Sequence, residues 1–243
     1  MEQIYMIPVN EAFDATADKP ECGCPLCKLY KKLQEDELDI ILGASMMEPA
    51  IRMSTNLQGF CLTHYNMMLA RRRMLGMGLM MESHLEEVKK MLRGPGVLGN
   101  KRASAMKALG ELECSCYVCS RVDRNMQAMI ATACYLWETD HEGFRKKFAR
   151  QTWFCMPHYR AMLDFASKKM SKRHFPDFYD AAFEIQKRFL DGLAKDVSLF
   201  CKSFDYRYDK EIDGPVPKEA VKQSIRFLGG SFGEEEQPAK GTN

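Results

Sequence analysis

A cysteine–histidine motif that occurs twice constrains the fold of this chain more than any other feature of its sequence. The motif is C-x-C-x2-C, followed after 33 residues in the first copy and 35 in the second by C-x2-H. The copies are residues 22–27 with Cys61 and His64, and residues 114–119 with Cys155 and His158. Such self-similarity indicates an internal duplication, and the spacing is typical of metal ligands. We therefore predict two repeats, each with a metal site.

Zinc is the metal that this pattern favours. A structural zinc ion takes four nitrogen and sulfur ligands in a tetrahedron and keeps no open position. A C-x2-C pair supplies two thiolates, and a C-x2-H pair supplies two ligands from the first turn of a helix, where residues three apart share a face. The predicted ligands are Cys24, Cys27, Cys61 and His64 in the first repeat, and Cys116, Cys119, Cys155 and His158 in the second. Two zinc ions per chain are expected.

Each motif offers five candidate ligands for four positions, so Cys22 and Cys114 are surplus. Either one could replace Cys24 or Cys116, or could hydrogen-bond to a metal-bound sulfur. The C-x2-C spacing of known zinc knuckles favours leaving them out. Pairing within each repeat is favoured because a duplication implies that each half once closed its own site. Pairing of C-x2-C from one repeat with C-x2-H from the other remains open.

Two other uses of the cysteines compete with zinc. An iron–sulfur cluster on Cys22, Cys24, Cys27 and Cys61 would have the all-thiolate ligation that clusters prefer. The segment Cys-Pro-Leu-Cys at 24–27 resembles a glutaredoxin-type dithiol, but no strand pattern precedes it and the second copy lacks the proline. Both histidines stand three residues after a cysteine, which favours a metal site over a thiol-rich core without metal.

Composition excludes several broad classes. The formal net charge of +2 gives no general attraction to nucleic acid or anionic membranes. The N-terminus has neither the basic nor the apolar region of a signal peptide, and no segment has the ~20 apolar residues of a spanning helix. The chain is therefore predicted to be cytoplasmic, where thiols stay reduced. Cys134 and Cys201, which lie outside the motifs among apolar neighbours, are expected to be buried and inert.

The hydrophobic pattern is helical throughout, with no period-two alternation long enough for a sheet. Apolar residues at steps of three and four predict one long helix from Cys61 to Leu92. The predicted fold is all-α, with two tandem helical-hairpin repeats, at 1–94 and 102–228, packed as one domain. A Gly-rich acidic tail at 229–243 is expected to be disordered.

Several motifs together are similar to an uncharacterised bacterial family of cysteine-rich cytoplasmic proteins, one of the domain-of-unknown-function families. They are Ile-Pro-Val-Asn-Glu-Ala-Phe at 7–13, Cys-Pro-Leu-Cys at 24–27, Ser-Met-Met-Glu-Pro at 45–49, Gly-Phe-Cys-x-x-His-Tyr at 59–65, and Phe-Asp-Tyr-Arg-Tyr at 204–208. The resemblance extends to about Leu228 and implies a complete single-family protein. It implies no reaction.

The sequence favours a structural role over catalysis. Closed thiolate sites leave no metal-bound water, and G-x-S-x-G, H-E-x-x-H and a phosphate-binding loop are lacking, which argues against an enzyme. We expect a scaffold or adaptor that binds another protein through Met-rich and aromatic faces. One alternative is a redox sensor or redox enzyme in which oxidation of Cys22 and Cys114 ejects zinc. Another is a nucleic-acid-binding protein using basic residues at 71–73 and 145–150, which the near-neutral charge disfavours.

Overall fold

The structure, a computed structural model, describes residues 3–94, 100–208 and 214–230. Within these ranges the chain forms eleven α-helices and four short 3-10 helices, and no strand. The predicted all-α fold is therefore confirmed. None of the helices in these ranges combines the length and the apolar character needed to cross a membrane.

The helices follow one another with short connections. They are α1 (Met6–Thr16), α2 (Pro25–Ile41), α3 (Pro49–Gln58), α4 (Leu62–Ala70), α5 (Met74–Arg93), α6 (Lys101–Glu113), α7 (Tyr117–Thr139), α8 (Phe144–Ala149), α9 (Met156–Lys169), α10 (Phe175–Lys202) and α11 (Ala220–Gly229). Proline at the first or second position opens α3, α9 and α10, as expected because its missing N–H has no partner there anyway.

The chain divides into two compact units. Unit 1 comprises Met1–Lys31 and Met126–Asn243, and unit 2 comprises Lys32–Asn125. The boundaries fall inside α2 and α7, so the units do not coincide with the predicted repeats at 1–94 and 102–228. From residue 231 onward, the tail predicted to be disordered lies outside the described residues.

Unit 1 has an aromatic core. The Phe13 ring on α1 lies 4.8 Å from that of Phe144 on α8, and Trp137 packs edge-on against Phe178 of α10 at 5.1 Å. Such aromatic pairs contribute roughly 0.5–1.5 kcal/mol each beyond the area they bury. Trp153, 2 % exposed, stacks on Phe189 of α10 at 5.2 Å. The core therefore includes the extended segment between α8 and α9.

Two buried glutamines hold that extended segment, residues 151–155, in place. The Gln186 side chain accepts a hydrogen bond from the Phe154 amide at 2.8 Å and donates to the Phe154 carbonyl at 2.9 Å. Gln151 donates to the Phe13 carbonyl at 2.8 Å and accepts from the Thr16 hydroxyl at 2.6 Å. The Gln186 bonds satisfy the buried backbone N–H and C=O of Phe154, and the Gln151 bonds tie the start of the segment to α1, so together they fix the path of the chain into Cys155.

In unit 2, a glycine turn after α3 determines the path of the chain. Gly59 has φ +57°, and a Cβ there would lie 3.0 Å from the His84 ring. This left-handed, closely approached position favours glycine. The Gly59 carbonyl accepts a hydrogen bond from the Tyr117 amide at 3.0 Å, and the Gln58 carbonyl accepts one from the Ser115 hydroxyl at 2.6 Å. These bonds bring the residues before Cys61 to the start of α7.

The single long helix expected from Cys61 to Leu92 is wrong. The chain forms α4 and α5 with a break at residues 71–73, where Arg72 takes the left-handed φ of +55°. The Arg71 guanidinium reaches Asp39 on α2 at 3.1 Å and the Glu35 carbonyl at 3.2 Å. These tertiary contacts accompany the break. The apolar pattern continues across it, but helix propensity is a weak constraint that tertiary context overrides.

Candidate metal centres

Unit 1 brings together Cys24, Cys27, Cys155 and His158, whose possible ligand atoms all lie within 4.8 Å of one another. Cys24 immediately precedes α2 and Cys27 lies in its first turn. Cys155 is the N-cap residue of α9, and His158 follows in the first turn of that helix. Both pairs thus stand at helix N-termini, where the partial positive charge stabilises thiolates.

The donor atoms of this cluster have the spacing of a tetrahedral site. The Cys27 sulfur lies 3.5 Å from that of Cys155 and 3.4 Å from His158 Nδ1. Nδ1 is also 3.2 Å from the Cys155 sulfur and 3.9 Å from the Cys24 sulfur. Ligands bound tetrahedrally to one zinc ion lie roughly 3.6–3.8 Å apart, given Zn–S and Zn–N distances of about 2.3 and 2.0–2.1 Å. The four donors therefore fit a zinc ion.

Unit 2 brings together Cys61, His64, Cys116 and Cys119, again within 4.8 Å. His64 Nδ1 lies 3.2, 3.3 and 3.5 Å from the sulfurs of Cys61, Cys116 and Cys119, respectively. The Cys61 and Cys119 sulfurs are 3.9 Å apart, far beyond the ~2.0 Å of a disulfide. Cys61 is the N-cap residue of α4, and the Cys116–Cys119 pair opens α7. The second donor set therefore has the same geometry as the first.

The thiols in each cluster differ in acidity. Close contact with the Cys155 and Cys24 thiols lowers the pKa of Cys27, whereas burial raises the pKa of Cys24. In unit 2, contact with the Cys119 thiol lowers the pKa of Cys116 to about 3, and contact with Cys116 raises the pKa of Cys119. One thiolate forms readily, and further negative charge beside it is opposed. A divalent cation removes that opposition, so the donor sets fit a metal ion electrostatically as well.

The pairing expected within each repeat is wrong. Each cluster combines C-x2-C from one repeat with C-x2-H from the other, the arrangement that the spacing had left open. The reason lies in the bonds that direct the chain: Gln186 and Gln151 hold residues 151–155 in unit 1, and Tyr117 holds Gly59 in unit 2. The structure nevertheless brings together the same eight side chains that the motif spacing singles out.

The remaining cysteines lie outside both clusters. Cys22 is half-buried at the end of the 3-10 helix Pro20–Cys22, and Cys114 is exposed just after α6. The four-thiolate iron–sulfur set is not formed, since Cys61 belongs to the unit 2 cluster and Cys22 to neither. Cys134 is buried as expected, and that burial raises its pKa to about 12. Cys201 is exposed, so its predicted burial is wrong.

In the basic segment at 145–150, one of the two proposed to contact nucleic acid, three cations contact other groups of the protein. Arg145 lies over the Trp137 ring at 3.9 Å and donates to the Trp137 carbonyl at 2.7 Å. Lys147 pairs with Asp14 at 2.7 Å, and Arg150 pairs with Asp18 at 2.6 Å. Arg145 is thereby tied to Trp137, whereas the ion pairs of Lys147 and Arg150 lie at the surface, where such pairs are worth only about 0–1 kcal/mol.

A buried polar side chain beside the unit 2 cluster was missed by motif spacing. Gln34 on α2 is 4 % exposed, and its amide nitrogen lies 3.0 Å from Nε2 of His64. The available signal was a glutamine one turn before the buried Leu38 and one turn after Tyr30, on the apolar face of the helix. Buried amides are rarely left without a specific hydrogen-bond partner.

The fold and the two clusters define an all-α protein with two Cys3His sites able to hold metal ions. The chain belongs to DUF6062, a family of unknown function whose family model matches residues 1–235. The resemblance to a family of unknown function is thereby confirmed. No curated protein and no solved structure matches the chain significantly.

Proposed function

We propose that the protein is a helical scaffold whose two Cys3His clusters each hold a structural zinc ion, and that the zinc-stabilised fold presents surfaces to another protein. The observation that carries the zinc assignment is the convergence of four donor atoms, from separate segments of chain, at tetrahedral spacing in both units. Three sulfurs and one imidazole nitrogen suit zinc better than magnesium or calcium, which prefer oxygen ligands.

A structural role follows from the completeness of each donor set. Four protein ligands fill a tetrahedral zinc ion, so no position is left for an activated water or a substrate. Each ion would also cross-link distant parts of the chain, since Cys27 and His158 are 131 residues apart and Cys116 and His64 are 52 apart. Zinc binding in small zinc-finger peptides contributes roughly 10–16 kcal/mol, which is comparable with the whole stability of a domain.

The protein-binding part of the proposal is supported by exposed apolar side chains. On α10, Tyr179, Phe183 and Leu190 recur at helical spacing and are each more than 40 % exposed. The Tyr179 and Phe183 rings stack with centroids 6.3 Å apart. On α5, Met74 and Leu75 are 60 and 78 % exposed. Aromatic and methionine side chains are enriched in protein interfaces, so these faces are the ones we assign to a partner protein.

Metal content is the first test of the zinc assignment. Elemental analysis of the full chain, purified without chelator, is expected to give two zinc ions per chain. Cys27→Ser and Cys61→Ser are each expected to lose one zinc ion, whereas the matched control Cys201→Ser, at an exposed cysteine outside both clusters, keeps two. Iron, or a metal-free protein with an unchanged thermal transition, would overturn the proposal. Zinc that can be removed without loss of helicity would overturn its structural role.

The partner is tested separately by a surface substitution. Phe183→Asp is expected to abolish direct binding of a purified partner that co-purifies with the wild type, while zinc content and melting temperature stay unchanged. Gln127→Asp, at an exposed position on α7 in the same unit, is the control and is expected to bind normally. A purified candidate that binds both variants equally would contradict the assignment of the α10 face.

A further inference from the structure

Gln34 makes a specific contact with the imidazole of the unit 2 cluster. His64 is 1 % exposed, and its Nδ1 faces the three sulfurs of Cys61, Cys116 and Cys119. The other ring nitrogen, Nε2, points away from the sulfurs and lies 3.0 Å from the side-chain amide of Gln34. The histidine is therefore held between the donor set on one side and a buried glutamine on the other.

Metal binding determines which way this hydrogen bond runs. A metal ion takes the lone pair of Nδ1, so the neutral ring must carry its proton on Nε2 and donate from there. A donor needs an acceptor, and the atom of Gln34 nearest to Nε2 is its amide nitrogen. A metal ion at Nδ1 therefore requires the Gln34 amide to turn by 180°, which would present Oε1 to the imidazole and change almost nothing in the shape of the side chain.

We infer that Gln34 is a positioning residue for the unit 2 metal site, which it serves by accepting the Nε2 proton of His64. This acceptor fixes the tautomer and the ring orientation that direct the Nδ1 lone pair at the metal. The inference rests on the proposed function, because it needs a metal ion at Nδ1. Removal of a hydrogen-bond partner of a metal-binding histidine typically lowers metal affinity by about 10- to 100-fold.

Two substitutions separate the acceptor from the packing of the side chain. Gln34→Met keeps the length and helix propensity of glutamine and removes the acceptor. Gln34→Glu keeps an acceptor and makes it anionic, as in a carboxylate–histidine–metal triad. Gln127→Met makes the same chemical change at an exposed site and is the matched control.

Affinity is measured one cluster at a time. The zinc-loaded full chain is titrated with a chelator and treated with a thiol-alkylating reagent, and peptide mass spectrometry then reports protection of Cys116 and Cys119 separately from Cys24 and Cys27. Gln34→Met is expected to lower zinc affinity of the unit 2 cluster about 10- to 100-fold and to leave the unit 1 cluster unchanged. Gln34→Glu is expected to bind zinc in the unit 2 cluster at least as tightly as the wild type. Gln127→Met is expected to leave the zinc affinity of both clusters unchanged.

A second readout follows the histidine itself. Nitrogen-15 spectra of the zinc-loaded wild type are expected to show His64 protonated on Nε2, with a proton that exchanges more slowly than in Gln34→Met. Unchanged unit 2 affinity in Gln34→Met, equal weakening of both clusters, or failure of Gln34→Glu to recover affinity would each overturn the inference. A wild-type chain without zinc in the unit 2 cluster would instead overturn the proposed function.

Discussion

The two clusters have the same donors but differ in their access to solvent. In unit 1, Cys24, Cys27, Cys155 and His158 are all at most 7 % exposed. In unit 2, His64 and Cys116 are buried, whereas Cys61 and Cys119 are partly exposed. Reactivity of a thiolate depends on its exposure as well as its pKa. Identical ligand chemistry is therefore compatible with one site that is closed to reagents and another that they can reach.

The two clusters also differ in how the chain before C-x2-H is held. Trp153 and Gly59 occupy the same motif position, two residues before the cysteine. In unit 1, the Trp153 ring stacks on Phe189, and its Nε1 donates to the Pro20 carbonyl at 3.2 Å. In unit 2, the backbone of Gly59 turns with positive φ and accepts a bond from Tyr117. Side-chain packing supports one site, and backbone conformation supports the other.

Loop length contributes little to the difference in stability between the two clusters. Closing a loop of 131 residues rather than 52 costs about 0.8 kcal/mol more, from the logarithmic dependence of loop entropy. Burial of the aromatic residues next to Cys155 is a larger quantity, at about 1.5–3 kcal/mol for each large apolar side chain. Packing around the site, and not chain separation, should therefore dominate any difference in stability between the clusters.

Removal of one ligand should give the largest effect and test this difference directly. Cys155→Ala and Cys61→Ala are each expected to lose one zinc ion. Cys155→Ala should lower the free energy of unfolding by at least about 4 kcal/mol, and Cys61→Ala should lower it by less. The reason is that Cys155 is fully buried beside Trp153 and Phe154. Urea denaturation with zinc analysis measures both quantities. Equal losses of unfolding free energy would show that the difference in burial has no energetic consequence.

Loss of the Gln186 side chain should rank second and affect unit 1 alone. Gln186→Leu removes both hydrogen bonds to Phe154 and leaves a buried backbone N–H and C=O unpaired, at a cost of about 2–4 kcal/mol. Urea denaturation measures the loss, and Gln127→Leu is the exposed control. If Gln186→Leu were as stable as its control, the extended segment would have to be held by aromatic packing alone.

Local spacing is enough to single out the eight side chains that the structure gathers into two clusters, because C-x2-C and C-x2-H each place two side chains within one turn of chain. The pairing between repeats depends on contacts between distant residues, such as Tyr117 with Gly59 and Gln186 with Phe154, and no motif contains them. The same limit explains the missed helix break at Arg72, which accompanies the contacts of Arg71 with α2. An all-α fold is predictable from periodicity, whereas the way the units divide the chain is not.

Oxidation should distinguish the clusters by the rate at which their thiols react. A tenfold difference in rate corresponds to about 1.4 kcal/mol of activation free energy, which is less than the two stability effects above. With mild peroxide, Cys61 and Cys119 are expected to be modified at least about tenfold faster than Cys27 and Cys155, because zinc holds all four as thiolates and the difference in access then sets the rate. A zinc-sensitive dye together with peptide mapping would show one equivalent of zinc released first, from unit 2. Simultaneous release of both equivalents would mean that the partial exposure of Cys61 and Cys119 does not control their reaction.

The smallest expected effect concerns the backbone turn that replaces Trp153 in unit 2. Gly59→Ala places a Cβ 3.0 Å from the His84 ring at a φ of +57°, so it should cost about 1–2 kcal/mol. Gly192→Ala is the matched control, because a Cβ there meets nothing within 4 Å and α10 is helical at that residue. That control should gain up to about 1 kcal/mol from helix propensity.

Thermal unfolding of the two glycine variants, with zinc content as a second readout, tests whether backbone conformation positions the unit 2 ligands. Gly59→Ala should lower the melting temperature and weaken zinc at Cys61 and His64, since the turn leads directly into that pair. Gly192→Ala should raise the melting temperature slightly and leave zinc unchanged. If both substitutions raised stability alike, the positive φ at Gly59 would carry no strain for alanine, and the support of the unit 2 site would have to come from the Ser115 and Tyr117 hydrogen bonds alone.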